Sequence, residues 1–98
     1  LNLVRKVNDR GGLVASVCHG PWVLISAGVA TGRRLTGSLG IKDDLVNAGA
    51  IWTDEPAVVD GNFVSGRVPK DLPAFGEALV EWLRTTGAKT PLGATISV

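Results

Sequence analysis

The spacing of hydrophobic residues changes several times along the chain, and each change predicts a new element. A helical pattern ends at a glycine pair and predicts the end of a helix over residues 1–10. Residues 13–17 are almost continuously apolar, as expected of a parallel strand buried on both faces. A turn over residues 18–21 then leads into a helix through residue 27, with a proline in its first turn. This strand–turn–helix unit predicts an α/β architecture.

The remaining pattern predicts shorter elements and one longer helix. The expected elements are a strand near Leu35-Thr36, a helix over 41–48, a brief strand at Ile51-Trp52, a hairpin around Asp60-Gly61-Asn62, and a helix from Asp71 to about Gly87. We therefore assign residues 1–87 to one α/β domain. Residues 88–98 have turn formers but little pattern, and we expect a tail that is flexible or lies over the surface.

Composition narrows the class of protein. With 98 residues, 45% hydrophobic and 19% charged, the chain fits one globular domain. A net charge of +1 without a basic cluster gives no reason to expect nucleic acid, and no apolar run is long enough to span a membrane. A single cysteine suits the reducing cytoplasm. Because the chain lacks methionine and opens on Leu1, we expect a fragment of a longer protein.

Cys18 is the candidate nucleophile. It stands between a buried strand and a helix that begins with Gly20 and Pro21, which is typical of a nucleophile elbow that presents one side chain above the sheet edge. The positive end of that helix favours the thiolate, the reactive form of cysteine. The backbone N–H of His19 is a candidate oxyanion donor, and a second donor is expected from a loop before Leu1. The alternative is that Cys18 is a buried structural cysteine.

His19 is the candidate acid/base group because the chain has one histidine. Adjacent residues on a regular strand point to opposite faces, so its help at Cys18 requires a strained turn. The alternative is that His19 only packs or hydrogen-bonds at the turn. A triad also needs a carboxylate, and the candidates, by residue type alone, are Asp43, Asp44, Asp54 and Glu55. One Cys beside one His is not a ligand set, so we expect no metal and no other cofactor.

Four segments, in order, carry a family resemblance: VASVCHGPWVLISAG, GRRLTGSLGIKDDLVNAGAIW, DEPAVVDGNFVSGR and DLPAFGEALVEWL. They resemble the C-terminal half of the ThiJ/PfpI family of intracellular cysteine peptidases, in the glutamine-amidotransferase-like superfamily. The resemblance implies a flavodoxin-like three-layer sandwich with a mainly parallel sheet, its N-terminal half absent here. It implies that Cys18 is the nucleophile and His19 its catalytic neighbour. It also implies a homo-oligomer and a catalytic glutamate supplied by the missing half.

The sequence departs from the family near Ser38, where relatives usually carry an aromatic residue or, in a sister branch, a histidine. Substrate preference is therefore not carried over, and three functions stay open. The first, which the resemblance favours, is a peptidase-like hydrolase in which the Cys18 thiolate attacks a carbonyl and His19 shuttles the proton. The second is a glyoxalase or protein deglycase that acts on 2-oxoaldehydes through a Cys18 hemithioacetal. The third is a stress-response redox sensor or chaperone. We expect the half-domain alone to be inactive.

Overall fold

The computed structural model describes residues 2–86 and 94–97, with the backbone alone for Thr86 and for 94–97. Within these residues the helices are α1 (Asn2–Asp9), α2 (Pro21–Ala27), α3 (Lys42–Asn47) and α4 (Leu72–Thr86). The strands are β1 (Leu13–Val17), β2 (Arg34–Leu35), β3 (Ile51–Trp52), β4 (Ala57–Asp60), β5 (Phe63–Gly66) and β6 (Ala94–Ser97). Short 3₁₀ turns precede α3 and α4.

The main sheet has the strand order β4-β5-β1-β6, and β1 runs parallel to both of its neighbours. All five residues of β1 are buried, so the predicted doubly buried parallel strand is confirmed. The strands β4 and β5 form the predicted antiparallel hairpin, and Gly61 takes the positive φ of 59° that its tight turn needs. The strands β2 and β3 pair in a separate parallel sheet.

The two faces of β1 bury two different hydrophobic clusters. Val14 faces a cluster that includes Val7 of α1 and Leu24 of α2. Ala15 and its alternate neighbours face a second cluster that contains Phe75 and Trp82 of α4. Helices therefore cover both sides of a mainly parallel sheet, as the predicted flavodoxin-like α/β sandwich requires. None of the described helices is long and apolar enough to cross a membrane.

The end of the chain differs from the expectation of a tail that is flexible or lies over the surface. The backbone of Ala94–Ser97 forms β6, in a register that pairs Leu13 with Ala94 and Ser16 with Ser97. Four residues are too few to show a period, and the hydrogen bonds of a strand belong to its neighbour, so the sequence carried no local signal. Residues 87–93 and 98 lie outside the described part, and the predicted domain boundary at residue 87 stays a prediction.

Candidate active site

The turn after β1 holds Cys18 in a left-handed backbone conformation. Its φ is 59°, a value shared by no other non-glycine residue in the described part of the chain. Left-handed conformations of such residues cost about 1–3 kcal/mol and persist only where the surroundings impose them. Three backbone hydrogen bonds impose it here: Cys18 N–H donates to Gly66 O at 3.2 Å, Ser38 N–H donates to Cys18 O at 2.8 Å, and Gly20 N–H donates to Val17 O at 2.9 Å.

The segment that braces the turn from outside depends on a glycine. A Cβ on Gly37 would lie 2.9 Å from the Cys18 carbonyl oxygen, closer than folded proteins tolerate, and a tight 3.2 Å from a carbon of Pro21. The same segment is tied to β5, because Thr36 N–H donates to the hydroxyl oxygen of Ser65 at 2.9 Å. Sequence reasoning noted Ser38 only as a departure from the family. The structure makes its amide a support of the nucleophile turn.

The Cys18 side chain is half-buried, with its inner side against the cluster of Val17 and Phe75. Pro21 begins α2 three residues later, so the start of the helix follows the cysteine directly, as predicted. The backbone N–H of His19 has no hydrogen-bond acceptor within residues 2–86. This free amide immediately after a cysteine is the arrangement expected of an oxyanion donor. Gly20 and Pro21 are both buried beneath the turn.

The His19 imidazole is exposed on the outer side of the turn and faces α2. Its ring centre lies 5.1 Å from that of Trp22, with the two planes tilted by 51°. Its Nε2 atom lies near Gly40, 3.9 Å from where a Cβ on that residue would stand. The left-handed turn thus places Cys18 against the cluster that contains Phe75, and His19 beside Trp22 of α2.

The candidate carboxylates are not brought to this imidazole. Within the described residues none of them is hydrogen-bonded to His19. Asp44 accepts the indole N–H of Trp22 at 2.9 Å, and Asp54 pairs with Arg67 at 2.9 Å. Asp43 and Glu55 are exposed. The predicted carboxylate partner of His19 is therefore not found among these four candidates.

A charged cluster that sequence reasoning missed lies beside the nucleophile turn. Arg67 follows Gly66 at the end of β5 and donates to Asp71 and Asp54, both at 2.9 Å. The hydrogen bond from Arg67 lowers the pKa of Asp71, against the opposing effect of desolvation, while Asp71 and then Asp54 raise the pKa of Arg67. The four-residue spacing of Arg67 and Asp71 was the available signal. Asp71 directly precedes α4, as predicted, but its carboxylate serves this pair.

Groups of three metal-ligating side chains are absent from residues 2–85. The protein is an α/β sandwich in which a cysteine elbow stands at the carboxyl end of the central parallel strand β1, next to a histidine. The chain belongs to the DJ-1/PfpI family, whose model matches residues 1–82. The predicted family is confirmed.

Curated relatives with high identity carry deglycase names. The chain is 52% identical to Deglycase PH1704 of Pyrococcus horikoshii and 49% identical to Deglycase PfpI of Pyrococcus furiosus, each over 84 residues. Each match covers 86% of this chain and 51% of the relative. The chain therefore spans about half the length of the curated relatives it matches.

Solved structures agree with the fold. Drosophila melanogaster DJ-1beta superposes with a TM-score of 0.78 at 36% identity, over 84% of this chain and 44% of its own. A two-domain protein of Anabaena variabilis, with dj-1/thij/pfpi-like and ferritin-like domains, gives a TM-score of 0.81 at 43% identity, over 91% of this chain and 26% of its own. The predicted α/β fold is confirmed by these neighbours. The roles predicted for Cys18, His19, Gly20 and Pro21 stay predictions.

Proposed function

We propose that the full-length protein is a Cys18-dependent deglycase that releases amines from their methylglyoxal adducts. The observation that carries the proposal is the strained turn, which holds a half-buried cysteine beside an exposed histidine and an unpaired amide. The names of the relatives support deglycase chemistry over the peptidase activity that the sequence first favoured. Deglycase and peptidase activity need the same cysteine nucleophile, so the geometry of the turn is compatible with both. We prefer the deglycase because the relatives carry deglycase names.

The first step transfers the aldehyde-derived carbon from the amine to Cys18. The sulfur attacks the carbinol carbon of the adduct, the carbon–nitrogen bond breaks, and the thiol proton passes through His19 to the leaving amine. A hemithioacetal remains on the sulfur. Charge that develops on oxygen during the reaction would be held by the His19 N–H, which has no other acceptor within residues 2–86.

The second step rearranges and releases the product. A proton moves from the hemithioacetal carbon to the neighbouring carbonyl carbon through an enediol, which converts the hemithioacetal into a lactoyl thioester. Water then hydrolyses the thioester to lactate and regenerates the thiol. One adduct and one water give one amine and one lactate, so the reaction balances without an oxidant. His19 is the described group that can carry these protons, and a carboxylate from outside the described residues would orient it.

The test compares substrates with the same preparation of full-length protein. Methylglyoxal-treated Nα-acetyl-lysine should yield free amine and lactate, whereas unmodified peptides should stay intact. Cys18→Ala and Cys18→Ser should both lose activity about a thousandfold or more, and His19→Gln about a hundredfold or more, with unchanged circular dichroism. Peptide hydrolysis that depends on Cys18, without lactate release, would replace the proposal with the peptidase alternative.

The redox-sensor alternative predicts a different outcome for the unsubstituted full-length protein. Treatment with mild peroxide should then add oxygen atoms to Cys18, which mass spectrometry detects, and the protein should turn over no adduct. The predicted homo-oligomer, the predicted cytoplasmic location and the predicted absence of nucleic-acid and membrane partners remain predictions.

A further inference from the structure

A groove between α2 and α3 opens next to the candidate active site and has no part in the proposed chemistry. Its volume is about 420 Å³. Apolar or aromatic side chains on its walls belong to Trp22, Ile25 and Ala48. Polar or charged side chains belong to Ser26, Asp44 and Asn47. From its position and chemistry, and building on the proposed function, we infer that this groove binds a positively charged side chain of the polypeptide that carries the adduct.

Trp22 joins the groove to the catalytic edge. One side of its indole contacts the His19 ring at 5.1 Å between centres, and the same side chain lines the groove. Trp22 is 47% exposed, so its ring is open to a ligand. Neighbouring residues of a polypeptide stand about 3.8 Å apart at their Cα atoms. In the proposed binding mode the adduct lies at Cys18, and the residue next to it extends past His19 to the groove that Trp22 lines.

The charge of the groove selects a cation. Asp44 is its one charged lining residue, and no cation of the described part of the chain lies within ion-pair distance of its carboxylate. Lys42, on the same helix, directs its ammonium to Trp52 instead, 5.2 Å from the ring centre. An apolar or acidic occupant would strip water from the Asp44 carboxylate without replacing it, which is unfavourable.

The remaining groups fit a cation on an aliphatic stem. The indole N–H of Trp22 donates to Oδ2 of Asp44 at 2.9 Å, which sets the ring and the carboxylate side by side. An ammonium or guanidinium that lies above this hydrogen-bonded pair gains an ion pair with the carboxylate and a contact with the aromatic face, while its methylene stem lies on Ile25 and Ala48. The geometry thus matches a lysine- or arginine-type side chain.

The experiment varies the residue beside the adduct. Peptides carry one methylglyoxal-modified lysine followed by trimethyl-lysine, glutamine or glutamate, because trimethyl-lysine keeps its positive charge and cannot react with the aldehyde. With the full-length protein we expect kcat/KM for the trimethyl-lysine peptide to exceed that for the glutamine peptide about three- to tenfold, and the glutamate peptide to be poorest.

Two matched variants isolate the groove. Asp44→Asn should abolish the preference for the cation, whereas Asp43→Asn, which removes an adjacent exposed carboxylate from the same helical turn but not from the groove, should keep it. Trp22→Phe retains a ring and should keep part of the preference, and Trp22→Ala should lose it.

The outcomes separate this inference from the proposed function. If all peptides are turned over equally, or if Asp43→Asn and Asp44→Asn behave alike, the inference is wrong and the deglycase proposal survives. If no peptide is turned over, the deglycase proposal is wrong, and calorimetry with unmodified trimethyl-lysine and glutamine peptides decides the inference. A change in oligomeric state of Asp44→Asn without a change in preference would assign the groove to contact between copies and overturn the inference.

Discussion

The parallel neighbours β1 and β5 end side by side, but the residues that follow them differ in strain and in hydrogen bonding. After β1 the chain turns through a left-handed Cys18, leaves the His19 amide without an acceptor among residues 2–86, and exposes the imidazole. After β5 the chain passes through Arg67, whose guanidinium is paired with Asp54 and Asp71. One hydrogen bond, from Cys18 N–H to Gly66 O, joins the two ends.

The contrast shows where this fold holds strain and unpaired groups. At the end of β1 an uncommon backbone conformation and a free donor are maintained by neighbours that pack against them, a pattern typical of functional sites. At the end of β5 the positive charge of Arg67 is paired with the negative charges of Asp54 and Asp71, and these pairs join three segments of the chain. Each end also needs a glycine, since a Cβ on Gly37 would meet the Cys18 carbonyl and one on Gly66 would meet the Phe75 side chain, both at 2.9 Å.

The largest effect is expected from Gly37→Ala. The added methyl would press on the Cys18 carbonyl and on Pro21, so the strained turn should shift and the protein should lose about 1–3 kcal/mol of stability, together with most of its Cys18-dependent activity. Urea denaturation and adduct turnover measure the two losses. Gly76→Ala is the control: it has open space around it in the middle of α4 and should be neutral or stabilising by up to about 1 kcal/mol. Equal behaviour of the two variants would remove the argument that Gly37 braces the turn.

A middle-sized effect is expected at Cys18 itself. Glycine adopts a positive φ freely and alanine does not, so Cys18→Gly should be more stable than Cys18→Ala by about 1 kcal/mol, although both are inactive. Glycine usually lowers stability relative to alanine, so the reversed order would report strain in the native turn. Denaturation midpoints of the two variants measure the difference, and an alanine variant that is the more stable of the two contradicts the strained conformation.

The smallest effect is expected at the end of β5 and depends on pH. Arg67 lowers the pKa of Asp71 in the folded protein, so the pair stabilises the fold above the ordinary aspartate pKa of about 3.9, and this contribution is lost as the pH falls through the lowered pKa. Asp71→Asn should therefore be less stable than the native protein at pH 7, and the difference should shrink near pH 3. Asp54→Asn, which alters a partner that is 68% exposed, should show a weaker form of the same change. Denaturation at both pH values measures this, and a difference that grows in acid would contradict it.

Much of the fold could be predicted because its signals are local. The apolar run of β1, the proline in the first turn of α2 and the end of α2 at Ala27 are features of adjacent residues, and the structure has each where it was expected. The hairpin likewise follows from a few residues around Gly61. The strand β6 has no such signal, since its pairing depends on the open edge of β1.

The candidate site could be predicted only in part. Cys18 and His19 follow from their place between a strand and a helix, but their supports come from distant segments. Ser38, which follows α2 in the sequence, donates its backbone N–H to the Cys18 carbonyl oxygen. The indole N–H of Trp22 donates to Asp44, which lies 22 positions later in the sequence. Residue type alone made Asp44 and Asp54 equal candidates to serve His19, and the structure binds one to an indole and the other to an arginine.

The sequence alone therefore determined the order of strands and helices from α1 to α4, the family and the position of the cysteine elbow, because periodicity, turn chemistry and motif depend on neighbouring residues. The tertiary structure alone decided the left-handed state of Cys18, the bracing contact at Gly37, the pairing of Arg67 and the groove beside Trp22. Each of these depends on contacts between segments far apart in the chain, which local pattern does not encode.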